Sequence, residues 1–143
     1  MNDKKKNQFV DTNILVYSFD NTSKEKQYKA RQLVMDLWEN QNGCISIQVL
    51  QELYLTVVHK VLHPLLPETA AQIITDLSQW LLHVPNSKDV LEAINIEQRN
   101  KISFWDAMII NSAKKMNCSL LWTEDLNHNQ IYEGIQAVNP FAD

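Results

Sequence analysis

The sequence predicts an α/β fold with a mostly parallel central sheet covered by helices on both faces, and three observations predict it. Short apolar segments alternate with longer stretches of helical periodicity along nearly the whole chain. The clearest of them, Ser119-Leu120-Leu121-Trp122, is apolar throughout after its serine, as strands buried on both faces are. No internal repeat, low-complexity tract or break in composition interrupts the alternation, so residues 8–143 are expected to form one domain behind a polar tail at residues 1–7.

Taken in order, Gln8-Phe9-Val10 is a short strand that ends at Asp11. Thr12 or Asn13 can cap the turn that follows, ahead of the apolar run Ile14 to Tyr17. Thr22 or Ser23 opens a helix from Lys24 to Asn40, with Ala30, Leu33, Val34, Leu37 and Trp38 at helical spacing, and Asn42-Gly43 is expected to end it. Cys44-Ile45-Ser46 is a brief strand, followed by a helix from Ile47 to about Leu62 with Leu50, Leu53, Val57 and Val61 on one face, stopped by Pro64. Pro67 starts a helix to about Leu82 along Ala70, Ile73, Ile74, Leu77 and Leu81. His83-Val84 reads as a short strand, and Ser87 as the cap of a helix to about Gln98. Ser103 caps another helix to Met116, with Trp105, Met108, Ile109, Ser112 and Met116 facing inward. A last strand runs from about Ile135 to Val138, before Pro140.

Composition narrows the function classes. A hydrophobic content of 45% argues against disorder, and no apolar run reaches membrane-spanning length. No secretory leader pattern opens the chain, and Cys44 and Cys118 lack any Cys-x-x-Cys spacing, so both read as reduced core thiols of a cytoplasmic protein. Only two glycines occur, Gly43 and Gly134, which rules out a P-loop or a Gly-rich dinucleotide turn. The net charge of −4, from 13 basic and 17 acidic residues, argues against gripping nucleic acid by bulk electrostatics. It does not exclude a nuclease, because bound divalent cations reverse a local potential.

Four carboxylates carry the chemistry: Asp11, Glu52, Asp106 and Asp125. Each falls where a strand should end or a helix begin, and in open α/β sheets ligands bind outside the carboxyl ends of the strands. Each also has an ordinary role open to it. Asp11 can be a turn or capping aspartate, Glu52 can face water with Gln48, Gln51 and Thr56, and Asp106 completes a Ser-x-x-Asp near-capping box with Ser103. Asp125 can belong to a polar loop; there Thr123 and Glu124 could add ligands or hold water. What singles out the set is that the fold logic delivers all four to one edge. Carboxylates gathered there repel strongly unless a cation sits between them, and all-oxygen surroundings suit Mg²⁺ or Mn²⁺.

The same residues carry a resemblance. Phe-Val-Asp-Thr-Asn-Ile-Leu at the start, Ser-Ile-Gln-Val-Leu-Gln-Glu-Leu in the middle, Ile-Ser-Phe-Trp-Asp-Ala-Met-Ile, Leu-Trp-Thr-Glu-Asp-Leu-Asn-His-Asn-Gln and Val-Asn-Pro-Phe follow one another from Phe9 to Phe141. In that order and spacing the chain resembles the PIN domain, and within it the VapC-like toxin ribonucleases of toxin–antitoxin pairs. The resemblance implies a Rossmann-like, three-layer α/β/α domain whose acidic quartet, here Asp11, Glu52, Asp106 and Asp125, binds Mg²⁺ or Mn²⁺ to hydrolyse RNA phosphodiester bonds. Asn13 and Thr123 match its supporting polar positions. A homodimer and a cognate antitoxin protein are implied as well. The sequence departs from the pattern at its lysine-rich start and at Asn129, where relatives often carry Gly before Gln130.

Metal-assisted hydrolysis needs no side-chain nucleophile, which suits a sequence with no evident Ser-His or Cys-His constellation. Lys24, Lys26, Lys29, Lys114 and Lys115 could steer phosphates, although lysine-rich helix surfaces are ordinarily just solvated. His59 and His63 have zinc-compatible spacing but nothing to complete a site. Trp38, Trp80, Trp105 and Trp122 are expected in the core or at a dimer contact rather than as platforms for bases. The competing reading of the whole chain is a non-catalytic RNA- or partner-binding protein of the same fold. A phospho-accepting receiver domain fails, because its lysine at a late strand end is replaced here by Thr123-Glu124-Asp125.

Overall fold

The structure is a computed structural model and describes residues 6–142. The tail expected over residues 1–7 therefore lies outside the described residues except for Lys6 and Asn7, which are tied down. Asn42 Nδ2 donates to Lys6 O (2.8 Å), Ser119 N donates to Asn7 O (2.9 Å), and Asn7 Nδ2 donates to Met116 O (3.0 Å).

Twelve elements follow in the order β1 (Gln8–Val10), α1 (Thr12–Phe19), α2 (Lys24–Asn40), β2 (Gly43–Ser46), α3 (Ile47–His59), α4 (Pro67–Leu77), β3 (Leu81–His83), α5 (Ser87–Asn100), α6 (Phe104–Lys115), β4 (Leu120–Trp122), β5 (Ile131–Tyr132) and β6 (Ile135–Val138). The strands form one six-stranded sheet in the order β3-β2-β1-β4-β6-β5. All neighbours are parallel except the β5–β6 pair. Helices flank this sheet in the three-layer arrangement expected. The connections leave β1 toward β2 on one side, while β4 pairs on its other side, so the strand order reverses between β1 and β4. That reversal is where the carboxyl ends of an open sheet leave a crevice for a ligand.

Register decides what stands in the crevice. Val10 pairs with Trp122, so the next residues, Asp11 and Thr123, emerge side by side. Phe9 pairs with Cys44, which brings Ser46 at the end of β2 to the same edge. The core beneath is built from Phe9, Val10, Ile45 and Leu121 on the sheet and Ile14, Leu15, Leu53, Ile96 and Ile110 on the helices, all essentially inaccessible. Helix α6 is buried from Ala107 through Ala113 without interruption, with α5 packed along it. A helix apolar nearly all round is enclosed rather than amphipathic. Among the described residues, no helix is long and apolar enough to cross a membrane.

Several local expectations are corrected. Helix α2 ends at Gln41, which takes the left-handed conformation (φ 55°), and not at Asn42-Gly43. Gly43 lies inside β2 because a Cβ there would stand 2.5 Å from the Trp80 ring. Asn86, not Ser87, caps α5; its side chain accepts from Lys88 N and Asp89 N, while Asp89 Oδ2 accepts from Asn86 N, a full reciprocal box. Helix α3 ends at His59, so His63 is not on the same helix and the zinc-like spacing has no geometric basis. Helix α4 stops at Leu77, and Leu81 opens β3 instead of closing the helix. The two-residue strand β5 escaped the sequence because it is too short to show a period.

Of the four tryptophans, Trp105 is 61% exposed and stands largely in water rather than facing inward, while Trp38 is 42% exposed and meets the Trp80 ring edge-on at 5.7 Å. Asn129 takes φ 68°, the conformation for which glycine would be the default, and asparagine tolerates it through its short polar side chain. Cys44 and Cys118 are buried as expected, but they are not isolated: each thiol is close enough to shift the other's ionisation, while Cys44 Sγ donates weakly to Asn42 O (3.9 Å).

Candidate metal centre

Asp11 stands at the exit of β1 and is fixed through both carboxylate oxygens. Oδ1 accepts from Thr12 N (2.7 Å), so the residue caps α1, and Oδ2 accepts from Thr123 Oγ1 (2.8 Å). Capping and converging on the cleft are therefore compatible roles. Thr123 is buried, and its hydroxyl also accepts from Asp125 N (3.1 Å), so one side chain registers two of the four acidic residues. Asp106 lies in the first turn of α6. Ser103 Oγ caps that helix by accepting from Asp106 N (3.1 Å), and it also steadies the Asp106 carboxylate.

One carboxylate oxygen each from Asp11, Asp106 and Asp125 lies within 4.8 Å of the other two. Asp11 lies about a hundred residues before Asp106 and Asp125 in the chain, and the sheet brings all three to one rim. Glu52, in α3, lies outside that 4.8 Å grouping but lines the same cavity of about 680 Å³. Its Oε1 accepts from Thr12 Oγ1 (2.9 Å), and it is close enough to Asp106 for their charges to repel. Asn13 also lines the cavity. Its Oδ1 accepts from Glu124 N (3.4 Å), while its Nδ2 is close enough to Asp125 to favour the ionised carboxylate yet completes no hydrogen bond of good geometry.

The electrostatics match the crowding. Burial drives the Asp11 carboxyl up from 3.8 to about 7, with Asp125 and Asp106 pushing the same way against the Thr123 and Thr12 hydrogen bonds. Asp106 is raised by burial and then by Glu52, and Asp125 by burial, Asp106 and Glu124. Carboxylates that resist ionisation first because they are buried, and then because acidic neighbours crowd them, are a set that a cation would relieve. Three or four oxygen donors of this kind fit a hard divalent cation and offer nothing soft to favour zinc or copper.

Glu124 does not join the cluster. It accepts from Tyr17 (2.8 Å) and pairs with Lys26 (2.7 Å), whose ammonium also lies over the Tyr17 ring at 4.7 Å. Of the candidate steering lysines, Lys26, Lys29 and Lys114 are thus already paired with carboxylates. Among the cavity residues that escaped the sequence as site residues are Thr12, Gln48, Lys60 and Trp105. The aromatic beside Asp106 was visible, but its exposure was not.

A Ser-His-Asp contact chain also exists that the sequence did not show. His83 Nδ1 is 2.8 Å from Ser112 Oγ, and His83 Nε2 is 3.4 Å from Asp89 Oδ2. Ser112 is buried in α6, Asp89 is saturated by Asn86 and Asn111, and none of the three lines the carboxylate cavity. The chain fastens β3 and α5 to α6.

Comparison with solved structures returns the same fold. A toxin–antitoxin complex from Klebsiella pneumoniae superposes with a TM-score of 0.66 at 20% identity, covering 94% of this chain and 98% of that one. DNA-bound VapBC from Salmonella typhimurium gives 0.64 at 20% identity over 93% and 97%. Mycobacterium tuberculosis VapC20, described as a Sarcin-Ricin loop cleaving toxin, gives 0.60 at 17% identity over 82% and 89%. No curated protein matches significantly by sequence. The family model for the PIN domain matches residues 9–134, from the strand that presents Asp11 past the loop that presents Asp125, and the chain belongs to that family.

Proposed function

We propose that the protein is a metal-dependent endoribonuclease, the toxin of a toxin–antitoxin pair, that hydrolyses RNA phosphodiester bonds. The observation that carries the reading is the convergence of Asp11, Asp106 and Asp125 within 4.8 Å in a cavity open to substrate. Those three would hold Mg²⁺ or Mn²⁺, and Glu52 would add a fourth carboxylate from the neighbouring wall. Such a cation supplies positive charge at the scissile phosphate and makes water acidic enough to attack near neutral pH.

The chain's own groups set the geometry. Thr123 holds Asp11 and Asp125 in fixed relation, Thr12 aims Glu52, and Ser103 holds Asp106 at the helix start. Carboxylates held in this way need little reorganisation to receive a cation. The solved toxin–antitoxin complexes support a cognate antitoxin as partner, and the Sarcin-Ricin loop cleaving toxin supports RNA as substrate. A homodimer and a cytoplasmic setting belong to the same proposal.

The test is cleavage of a labelled single-stranded RNA with Mg²⁺ or Mn²⁺, with chelator, and with the Asp106→Asn variant. The variant should lose about 100-fold or more in rate while keeping its fold, and chelator should stop the wild type. Unchanged cleavage in either arm rejects the proposal.

A further inference from the structure

We propose that Trp105 is the platform on which an unpaired base of the RNA stacks while the adjoining phosphate lies against the Asp11, Asp106 and Asp125 carboxylates. The inference rests on the nuclease reading above and adds a substrate requirement to it: the strand must present a base free to leave its own stack.

Trp105 is next to Asp106 in the first turn of α6 and lines the same cavity as the three carboxylates, yet 61% of its surface is exposed. Its backbone is tied to α3, where Gln48 Nε2 donates to the Trp105 main-chain carbonyl (3.3 Å), and the Phe104 ring meets the indole edge-on at 5.2 Å. A solvated indole with two rotatable side-chain bonds beside an acidic centre presents an aromatic surface at low entropic cost. Leu55 and Leu62, also on the cavity wall, are 50% and 73% exposed, so the cleft has an apolar side as well as an acidic one. A nucleotide has the same two sides.

The charge balance strengthens the case. With a net charge of −4, and with Lys26, Lys29 and Lys114 paired to carboxylates, the protein has little bulk electrostatic grip on a polyanion, and Lys60 is the lysine that lines this cavity among the described residues. Stacking supplies affinity that does not depend on lysines, and proteins that bind single strands use it widely. One further group points the same way. Gln48 lines the same wall and its Oε1 is buried without a hydrogen-bond partner, so a turn of the side chain toward the cleft would let that oxygen accept from the exocyclic amino group of a base.

The experiment measures anisotropy of a short fluorescein-labelled single-stranded RNA, with Ca²⁺ present to limit cleavage, and kcat/KM with Mn²⁺. It uses wild type, Trp105→Ala and Trp105→Phe, and repeats both readouts on an RNA made abasic beside the mapped cut. Trp105→Ala should weaken binding about 5- to 150-fold, with Trp105→Phe recovering most of it. The abasic RNA should lose the same factor with wild type but nothing further with Trp105→Ala, because both changes remove one contact.

Equal binding by wild type and Trp105→Ala overturns the inference, and so do independent, additive losses. A changed oligomeric state of Trp105→Ala by sedimentation, with unchanged RNA affinity, also overturns it and assigns the indole to a protein contact. Wild type that binds RNA through Trp105 but does not cut it, whichever divalent cation is supplied, upholds the stacking and rejects the nuclease reading alone.

Discussion

Replacing Asp11 by asparagine should make the metal-free protein more stable above neutral pH, while removing its stabilisation by a divalent cation. Asp11 is 6% exposed, and burial moves its carboxyl from 3.8 to about 7, with Asp125 and Asp106 adding to the effect. Between those values the folded state keeps a proton that the unfolded chain has lost. Stability changes with pH as the protons bound by the unfolded state minus those bound by the folded state, which is negative here. Stability therefore falls as pH climbs from about 4 to about 7, by about 4 kcal/mol in all. Below that window both states are protonated and the penalty vanishes.

Asparagine carries no charge to desolvate. It keeps an acceptor for Thr12 N, but its amide N–H faces a Thr123 hydroxyl that now donates to Asp11. Turning that hydroxyl costs about 1–2 kcal/mol, so the net gain at pH 8 should be about 2 kcal/mol. Urea unfolding of both proteins in chelator at pH 5 and pH 8, then in Mn²⁺ at pH 8, measures it. Wild-type stability that stays flat or rises from pH 5 to 8 in chelator would refute the reasoning, as would equal stabilisation of both proteins by Mn²⁺. Such a gain in stability on losing a site residue is the usual mark of a functional centre held under strain.

Two further changes probe the frame around the site. Thr123→Val removes the donor to Asp11 and the acceptor for Asp125 N, so Mn²⁺ affinity by calorimetry should fall about 10- to 100-fold, with the sheet intact by circular dichroism. Gly43→Ala drives a Cβ to 2.5 Å from the Trp80 ring, and the urea midpoint should drop by the equivalent of about 1–3 kcal/mol without change in metal affinity.

Strong, long periodicities were legible in the sequence, and so were the residues that must sit at strand ends. Helix α2 runs from Lys24 to Asn40 as its spacing indicates, and Asp11, Asp106 and Asp125 meet where parallel-sheet logic sends them. Helix ends were less legible, because Gln41 adopts the left-handed conformation expected of the Asn42-Gly43 pair, and tertiary contact with Trp80 claims the glycine instead. The exposure of Trp105 was hidden for a related reason. Helix α6 is enclosed from Ala107 to Ala113, so its inward face cannot be inferred from one stripe, and its first turn is the more exposed part. The turning away of Glu124 toward Tyr17 and Lys26 depends on partners about a hundred residues distant, which no local pattern encodes.

The claim on which the account depends is that the carboxylates of Asp11, Asp106 and Asp125 hold one hard divalent cation between them. Crystals grown in Mn²⁺ and measured at an X-ray energy where manganese scatters anomalously test it directly. The account predicts an anomalous peak flanked by those three side chains at the end of β1 and β4; a map with no peak there, or with manganese bound only elsewhere, contradicts it.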